Sequence, residues 1–150
     1  MKLFTRRDTL VMGAVAIAAS ALAPALAFAK AEDAQALVDK FTGGKTPAEG
    51  KITLDLPEIA ENGNTVPLSV SVESPMTKDD YVKRVMILAE GNPRPEVATL
   101  NFSPMSGAAE ASTRMRLAKT QNIIAVAEMS DGSFTMVKRQ VKVTIGGCGG

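Results

Sequence analysis

The chain has 150 residues, enough for one domain of ordinary size. It contains one Cys, no His and no Trp, and its formal net charge is +1. A structural zinc site needs about four Cys or His ligands, and a cysteine-protease site needs an imidazole to take the thiol proton. We therefore expect no metal, no cofactor, no intramolecular disulfide and no self-contained catalytic centre.

The charge distribution argues against a nucleic-acid partner. Residues 1–29 hold three basic residues and one acidic residue, so the rest of the chain holds 14 basic and 15 acidic residues. Proteins that bind nucleic acids rely on clustered Lys and Arg, and that remainder has no basic cluster and few aromatic residues. We expect no nucleic-acid binding.

The first 29 residues have the three-part pattern of an export signal. A polar, basic start precedes an apolar run from Leu10 to Ala23, and Ala27-Phe28-Ala29 places small residues where signal peptidase reads them. A bilayer-spanning helix needs roughly 20 apolar residues, which disfavours the alternative of a permanent anchor. We predict a cleavable signal peptide over residues 1–29 and no membrane association after its removal.

The start of this signal resembles a twin-arginine signal, which exports proteins that have already folded. Arg6 and Arg7 are adjacent and stand just before the apolar run, although Thr9 replaces the usual aromatic residue or Leu. An ordinary Sec signal is the alternative. Because no cofactor is expected, folded export favours a partner chain that lacks a signal of its own.

Residues 30–145 change from a helical to an extended pattern. Ala34, Leu37, Val38 and Phe41 recur at the spacing of a short amphipathic helix, and Gly43-Gly44 ends it. The segments that follow have alternating or continuous apolar residues, which is typical of strands. We predict strands at about residues 52–56, 66–72, 84–89, 97–102, 112–117, 122–127 and 134–145.

About seven short strands after one helix predict an all-β, immunoglobulin-like β-sandwich. Asp131-Gly132 predicts a tight hairpin turn, and Pro67 predicts an edge position or a strand start. Arg114 and Arg116 are predicted to face solvent. We expect the six methionines outside the signal to fill the core, with a soft binding surface as the alternative.

The C-terminus is a single thiol among glycines, Gly146-Gly147-Cys148-Gly149-Gly150. A free Cys is usually buried, but glycines offer no side chain to bury it. We predict that residues 146–150 form a flexible arm that reaches roughly 10 Å beyond Ile145 and that Cys148 carries a covalent cargo. A disordered terminus with an incidental cysteine is the alternative.

The residues around Cys148 supply no base, and an ordinary cysteine is mostly protonated at neutral pH. A partner enzyme must therefore activate the thiol, which indicates a carrier and not an enzyme. An exposed lone thiol in an oxidising compartment also predicts a disulfide-linked dimer through Cys148.

Several motifs resemble the Y-subunit family of the Sox (sulfur-oxidising) carrier complex. They span the chain from the predicted helix to the tail, and the tail motif is the most specific. They are Phe41-Thr42-Gly43-Gly44, the segment 56–67 from Leu56 to Pro67, Ala89-Glu90-Gly91-Asn92-Pro93, the segment 127–132 from Ala127 to Gly132, and the segment 143–150 from Val143 to Gly150.

The resemblance implies a periplasmic heterodimer with a second sandwich subunit, SoxZ, and an immunoglobulin-like fold. It also implies that the haem enzyme SoxXA conjugates thiosulfate oxidatively to Cys148 and that the hydrolase SoxB then releases sulfate. In some organisms a sulfane dehydrogenase, SoxCD, would oxidise the remaining sulfur. The intermediates would stay attached to Cys148.

Two other functions are compatible with parts of the sequence. Gly149-Gly150 would suit a carrier that holds sulfur as a C-terminal thiocarboxylate, although an exported chain has no access to the ATP which that chemistry requires. An exported sandwich could also be an adhesion or chaperone-like module that binds a partner strand at a sheet edge.

Overall fold

The structure, a computed structural model, describes residues 31–147. The predicted signal peptide and residues 148–150, with Cys148, lie outside these residues. The described part of the chain has one α-helix, one 3₁₀ turn and nine strands. The elements are α1 (Ala31–Thr42), β1 (Ala48–Glu49), β2 (Ile52–Asp55), β3 (Ile59–Ala60), β4 (Val66–Val72), β5 (Val82–Ala89), β6 (Glu96–Asn101), the 3₁₀ turn (Pro104–Ser106), β7 (Ala109–Met115), β8 (Gln121–Met129) and β9 (Phe134–Val143).

The helix α1 has charges that suit its dipole. Glu32 and Asp33 lie in its first turn and Lys40 lies in its last turn. Gly43 and Gly44 follow with φ angles of 63° and 80°, a left-handed conformation that glycine adopts without steric cost. The predicted helix and its end are therefore confirmed.

The strands form two sheets that pack face to face. The larger sheet has the order β1-β9-β8-β5-β6, with β3 also paired to β9, and the smaller sheet has the order β2-β4-β7. The seven longer strands correspond to the seven predicted segments, so the predicted all-β sandwich with a short N-terminal helix is confirmed. The sequence pattern missed β1 and β3, which have two residues each and pair in parallel with β9.

Two apolar clusters hold these layers together. The first lies between the sheets and takes alternate residues of β4, including Leu68 and Val70. The second lies on the outer face of the larger sheet, where Val38 of α1 packs with Met86 and Ile124. Because α1 covers that face, β5 and β8 are buried on both sides, which explains their nearly continuous apolar sequences.

Several smaller predictions are also settled. Gly132 has a φ of 78° in the turn between β8 and β9. Pro67 is the second residue of β4, and Arg114 and Arg116 are exposed, as predicted. Five of the six methionines fill the two clusters, and the sixth, Met105, is exposed.

The directions of the strands define two ends of the sandwich. β5 and β9 both pair antiparallel with β8, so their C-terminal ends lie at the same end of the larger sheet. We call this the tail end. β6 ends at the opposite end, where Asn101 pairs with Arg84 near the start of β5. Within residues 31–147, no helix is long and apolar enough to cross a membrane.

Candidate functional site

The predicted site residues divide at the last described position. Gly146 and Gly147 are described, and Cys148, Gly149 and Gly150 are not. Gly147 is buried against the body. The structure therefore shows how the chain leaves the sandwich immediately before the cysteine.

The chain continues to pair with the body after β9 ends at Val143. The Thr144 N–H donates to the Ala60 carbonyl at 3.1 Å, and the Thr144 hydroxyl donates to the Glu61 carbonyl at 2.8 Å. The Gly63 N–H donates to the Ile145 carbonyl at 2.7 Å. The segment after β3 thus runs beside the C-terminal segment and fixes its path.

A second set of backbone bonds holds the next two residues. The Gly147 N–H donates to the Leu117 carbonyl at 2.9 Å, and the Leu117 N–H donates to the Gly63 carbonyl at 2.8 Å. Leu117 lies between β7 and β8, so three segments that are far apart in sequence meet here. We call these contacts among Gly63, Leu117, Ala118, Gly146 and Gly147 the tail anchor.

The tail anchor requires glycine because the backbones approach so closely. A Cβ on Gly63 would lie 2.2 Å from the Leu117 carbonyl oxygen, and a Cβ on Gly146 would lie 2.1 Å from the Ala118 carbonyl oxygen. A Cβ on Gly147 would lie 2.9 Å from the Gly63 carbonyl oxygen. The two described glycines of the predicted arm therefore pack on the body, which differs from a free arm that begins at residue 146.

A buried side chain, Asn92, holds the segment that receives the tail. Asn92 is 3% exposed and follows β5. Its Nδ2 donates to the Arg116 carbonyl at 2.7 Å, and its Oδ1 accepts from the Ala118 N–H at 3.0 Å. These two bonds flank Leu117, so Asn92 fixes the backbone that binds Gly147.

Gln121, the first residue of β8, completes this network. Its Nε2 donates to Asn92 Oδ1 at 2.9 Å and to the Lys119 carbonyl at 3.1 Å, and its Oε1 accepts from the Gly91 N–H at 2.7 Å. Each polar atom of the Gln121 amide thus has a partner, as buried polar groups require. Sequence reasoning did not identify this network, although Gly91 and Asn92 lie in one of the motifs that carry the family resemblance.

Glu90, which precedes Gly91, carries a charge pair at the same end of the sheet. Its carboxylate accepts from Lys138 Nζ at 2.7 Å and from Asn122 Nδ2 at 2.6 Å. Partial burial acts to raise the pKa of Glu90, but the hydrogen bonds from Lys138 and Asn122 and the Lys138 charge outweigh it and hold that pKa below its ordinary value. Neither of these two hydrogen bonds joins the Glu90 carboxylate to the tail anchor.

The tail anchor is made of main-chain groups. In the described part of the chain, no group of three or more Cys, Asp or Glu residues lies close enough together to hold a metal ion. The tail anchor fixes the main chain as far as Gly147, the residue that precedes Cys148 in the sequence.

Comparisons with known proteins match the chain to one family. The model of the family described as "Sulfur oxidation protein SoxY" matches residues 38–148, a stretch that ends on the cysteine. The sulfur carrier protein SoxY from Chlorobium limicola f thiosulfatophilum has a similar structure, with a TM-score of 0.64 and 32% identity. The match covers 75% of this chain and 93% of that chain.

More distant structures share the fold alone. A superoxide reductase (neelaredoxin) from Ignicoccus hospitalis has a TM-score of 0.56 at 16% identity, over 63% of this chain and 80% of that chain. A putative superoxide reductase from Thermotoga maritima has a TM-score of 0.53 at 18% identity, over 69% and 89%. No curated protein sequence matches. The family match, which extends over most of the chain, and the similarity to a sulfur carrier of known structure show that the chain belongs to the SoxY family of sulfur oxidation proteins.

Proposed function

We propose that this sulfur carrier holds thiosulfate-derived intermediates covalently on Cys148 and presents them to successive enzymes in the periplasm. The observation that carries the proposal is the tail anchor, which fixes the main chain as far as Gly147. The next residue in the sequence, Cys148, is the chain's single thiol. The family match ends on this same residue.

The chemistry of a thiol fits this cargo. In the loading step the Cys148 thiol and thiosulfate form a new S–S bond, with loss of one proton and two electrons to the haem enzyme SoxXA. The product is a cysteine S-thiosulfonate. Water then cleaves its terminal S–S bond on SoxB, which releases sulfate and leaves a persulfide on Cys148. SoxCD would oxidise that remaining sulfur where it is present.

The same proposal assigns the remaining partners. We infer that the chain is exported as a folded heterodimer with SoxZ, because the twin-arginine-like segment around Arg6 and Arg7 would carry both subunits on one signal. No enzyme activity is assigned to the chain itself. Its loading and unloading are carried out by the partner enzymes.

Mass spectrometry of the protein from thiosulfate-grown cells tests the carrier function. We expect adducts of one or more sulfur atoms, with or without oxygen, that are removed by reductant and that are missing from a Cys148→Ser variant. Sulfur oxidation should also stop in cells that carry this variant. A Thr144→Ser variant is the matched control, because it keeps the hydroxyl that bonds Glu61 and should load normally.

Two results would contradict the proposal. Sulfur turnover that continues in the Cys148→Ser strain would rule out the thiol as the attachment point. An adduct retained in that variant as a sulfur-for-oxygen replacement at Gly150 would instead support a C-terminal thiocarboxylate.

A further inference from the structure

The segment that holds the tail contains the chain's single Asn-Gly pair, Asn62-Gly63. Asparagine is a thermolabile residue, and it is most reactive before glycine, because the main-chain nitrogen of the glycine can attack the side-chain carbonyl carbon of the asparagine. Glycine has no side chain to hinder this approach and adopts a wide range of backbone angles. Asn62 is exposed, so water reaches its side chain.

This reaction, deamidation, needs no reactant other than water. The Gly63 nitrogen bonds to the side-chain carbonyl carbon of Asn62, and the Gly63 amide proton leaves with the side-chain amide as ammonia. The product is a cyclic succinimide, which water opens at either of its two carbonyl groups. One opening gives an aspartate at position 62. The other gives an isoaspartate, in which the main chain is one methylene longer, and both products carry a new carboxylate.

The tail occupies the group that starts this reaction. The Gly63 N–H donates to the Ile145 carbonyl at 2.7 Å. While this bond persists, the N–H is directed at the tail and the nitrogen is not available for attack on Asn62. The Asn62 side chain is also engaged, because its Oδ1 accepts from the Asn64 N–H at 2.9 Å.

The rest of Gly63 is held just as closely. Gly63 is buried, and its carbonyl accepts from the Leu117 N–H at 2.8 Å. The Leu117 carbonyl and the Gly147 nitrogen fill the space where a side chain of Gly63 would lie. The Gly63 nitrogen is therefore released for reaction only when the Ile145 carbonyl separates from it.

We propose that Asn62 is a deamidation site whose reactivity is controlled by the docked tail. The isoaspartate product lengthens the main chain directly before Gly63, so Gly63 can no longer hold Ile145 and Leu117 in their present positions. Release of the tail therefore permits the modification, and the modification prevents the tail from docking again. This inference goes beyond the proposed carrier function and does not depend on it.

Peptide mapping of the purified full-length protein, incubated at mildly alkaline pH and well below its thermal midpoint, tests the proposal. Ammonia release and isoaspartate content measure the deamidation of Asn62. The parent should react more slowly than a synthetic peptide of residues 56–67. Gly146→Ala should react faster than the parent, because its Cβ would lie 2.1 Å from the Ala118 carbonyl oxygen and displace the tail. Loss of one hydrogen bond predicts a rate increase of roughly two- to tenfold.

A second tail variant keeps the test decisive if Gly146→Ala does not fold. The Cβ in Gly147→Ala would lie 2.9 Å from the Gly63 carbonyl oxygen, a milder clash that should raise the rate by a smaller factor. Equal rates in the parent and in the tail variants that fold would overturn the proposal. A parent rate equal to that of the peptide would overturn it as well.

Two further variants serve as controls. Gly107→Ala makes the same change at the other end of the sandwich, where a Cβ meets nothing within 4 Å, and it should react at the parent rate. Asn62→Ser keeps a side-chain oxygen that can accept from the Asn64 N–H, and its peptide should release no ammonia. Ammonia released equally from Asn62→Ser would show that the reaction occurs at another residue.

The effect on the tail is measured on the modified protein itself. Ion exchange separates the deamidated form, and its Gly147 amide should exchange hydrogen faster than in the unmodified form. An unchanged exchange rate would overturn the proposed effect on docking. Deamidation as expected in a protein that acquires no sulfur on Cys148 would leave this inference standing while the carrier function fails.

Discussion

The N–H of Gly147 donates a hydrogen bond of 2.9 Å to the carbonyl oxygen of Leu117. Gly147 is the last residue before the cysteine, and Leu117 lies between the strands β7 and β8 of different sheets. The position of the residue that precedes Cys148 is therefore set by how the two sheets pack, and not by the last strand alone.

Gly63→Ala should destabilise the protein and loosen the tail. The added Cβ would meet the Leu117 carbonyl and the Gly147 nitrogen, so the backbones must separate. Overpacking of this kind costs about 1–3 kcal/mol. Urea unfolding should show a free energy of unfolding lower by this amount, and the Gly147 amide should exchange its hydrogen faster than in the parent protein.

Gly107→Ala is the control for that experiment. A Cβ at Gly107 meets nothing within 4 Å, and its φ of 74° adds a strain of about 1 kcal/mol at the end of the sandwich away from the tail. Its Gly147 amide should exchange at the parent rate. Equal exchange rates in Gly63→Ala and the parent would show that the anchor tolerates a side chain.

Asn92→Ala should lower the free energy of unfolding by about 1–3 kcal/mol. The change leaves the Arg116 carbonyl and the Ala118 N–H without their partner and removes one bond of Gln121. The cost arises because these groups are wholly or partly buried. Urea denaturation measures this cost, and the slope of the unfolding free energy against urea concentration should be the same in variant and parent.

Asn122→Ala is the matched control for Asn92. Its amide bonds Glu90 and makes no hydrogen bond to the segment 116–118, so its loss should also cost about 1–3 kcal/mol. Only the Asn92 variant should speed the exchange of the Gly147 amide. Equal exchange rates of the Gly147 amide in the two variants would mean that Asn92 has no special role in holding the tail.

Glu90 should make the free energy of unfolding depend on pH in the acid range. Its pKa in the folded protein lies below the ordinary value of 4.5, so its contribution is fully present above that value and is lost as the pH falls through the lower, folded-state pKa. Glu90→Gln and Lys138→Met should both unfold more easily at pH 7 and lose less stability on acidification. Urea midpoints from pH 7 to about pH 3 measure this; parallel curves for variant and parent would contradict the assignment.

Arg6→Lys combined with Arg7→Lys should keep the precursor in the cytoplasm, because twin-arginine export requires the arginine pair. Immunoblots of periplasmic and cytoplasmic fractions check this. Lys2→Arg alone is the control and should be exported normally. Full export of the double variant would indicate the Sec route.

The purified protein should form a disulfide-linked dimer under oxidising conditions, because Cys148 is the chain's single thiol. A non-reducing gel should show a dimer band that disappears with reductant and is missing from Cys148→Ser. A parent protein that stays monomeric after oxidation would indicate that this thiol is shielded.

Local patterns were sufficient to predict α1, the seven longer strands and the Asp131-Gly132 turn, because each of these depends on neighbours in sequence. The strands β1 and β3 were not predicted, because a segment of two residues is too short to show a periodic pattern. They form where their main chains pair with β9. The exposure of Arg114 and Arg116 followed from simple alternation.

The candidate site was only partly predictable, because its bonds join residues that are far apart in the sequence. Cys148 and its glycines stand out in the sequence, but the bonds that join Gly63, Leu117 and Gly147 connect main-chain groups and leave no side-chain pattern to read. The role of Asn92 depends on the crossing from β7 to β8, which is a property of the packed sandwich. The sequence signal for these residues was that some of them, such as Gly63, lie in motifs that resemble the family.

A junction built from amides and carbonyls separates how the tail is held from which protein recognises it. The exposed side chains near the junction, Ile59 and Ile145, make none of its hydrogen bonds. They can be exchanged without removing any hydrogen bond of the tail anchor. Side chains on the surface around the junction are therefore free to vary while the main chain up to Gly147 keeps the same path.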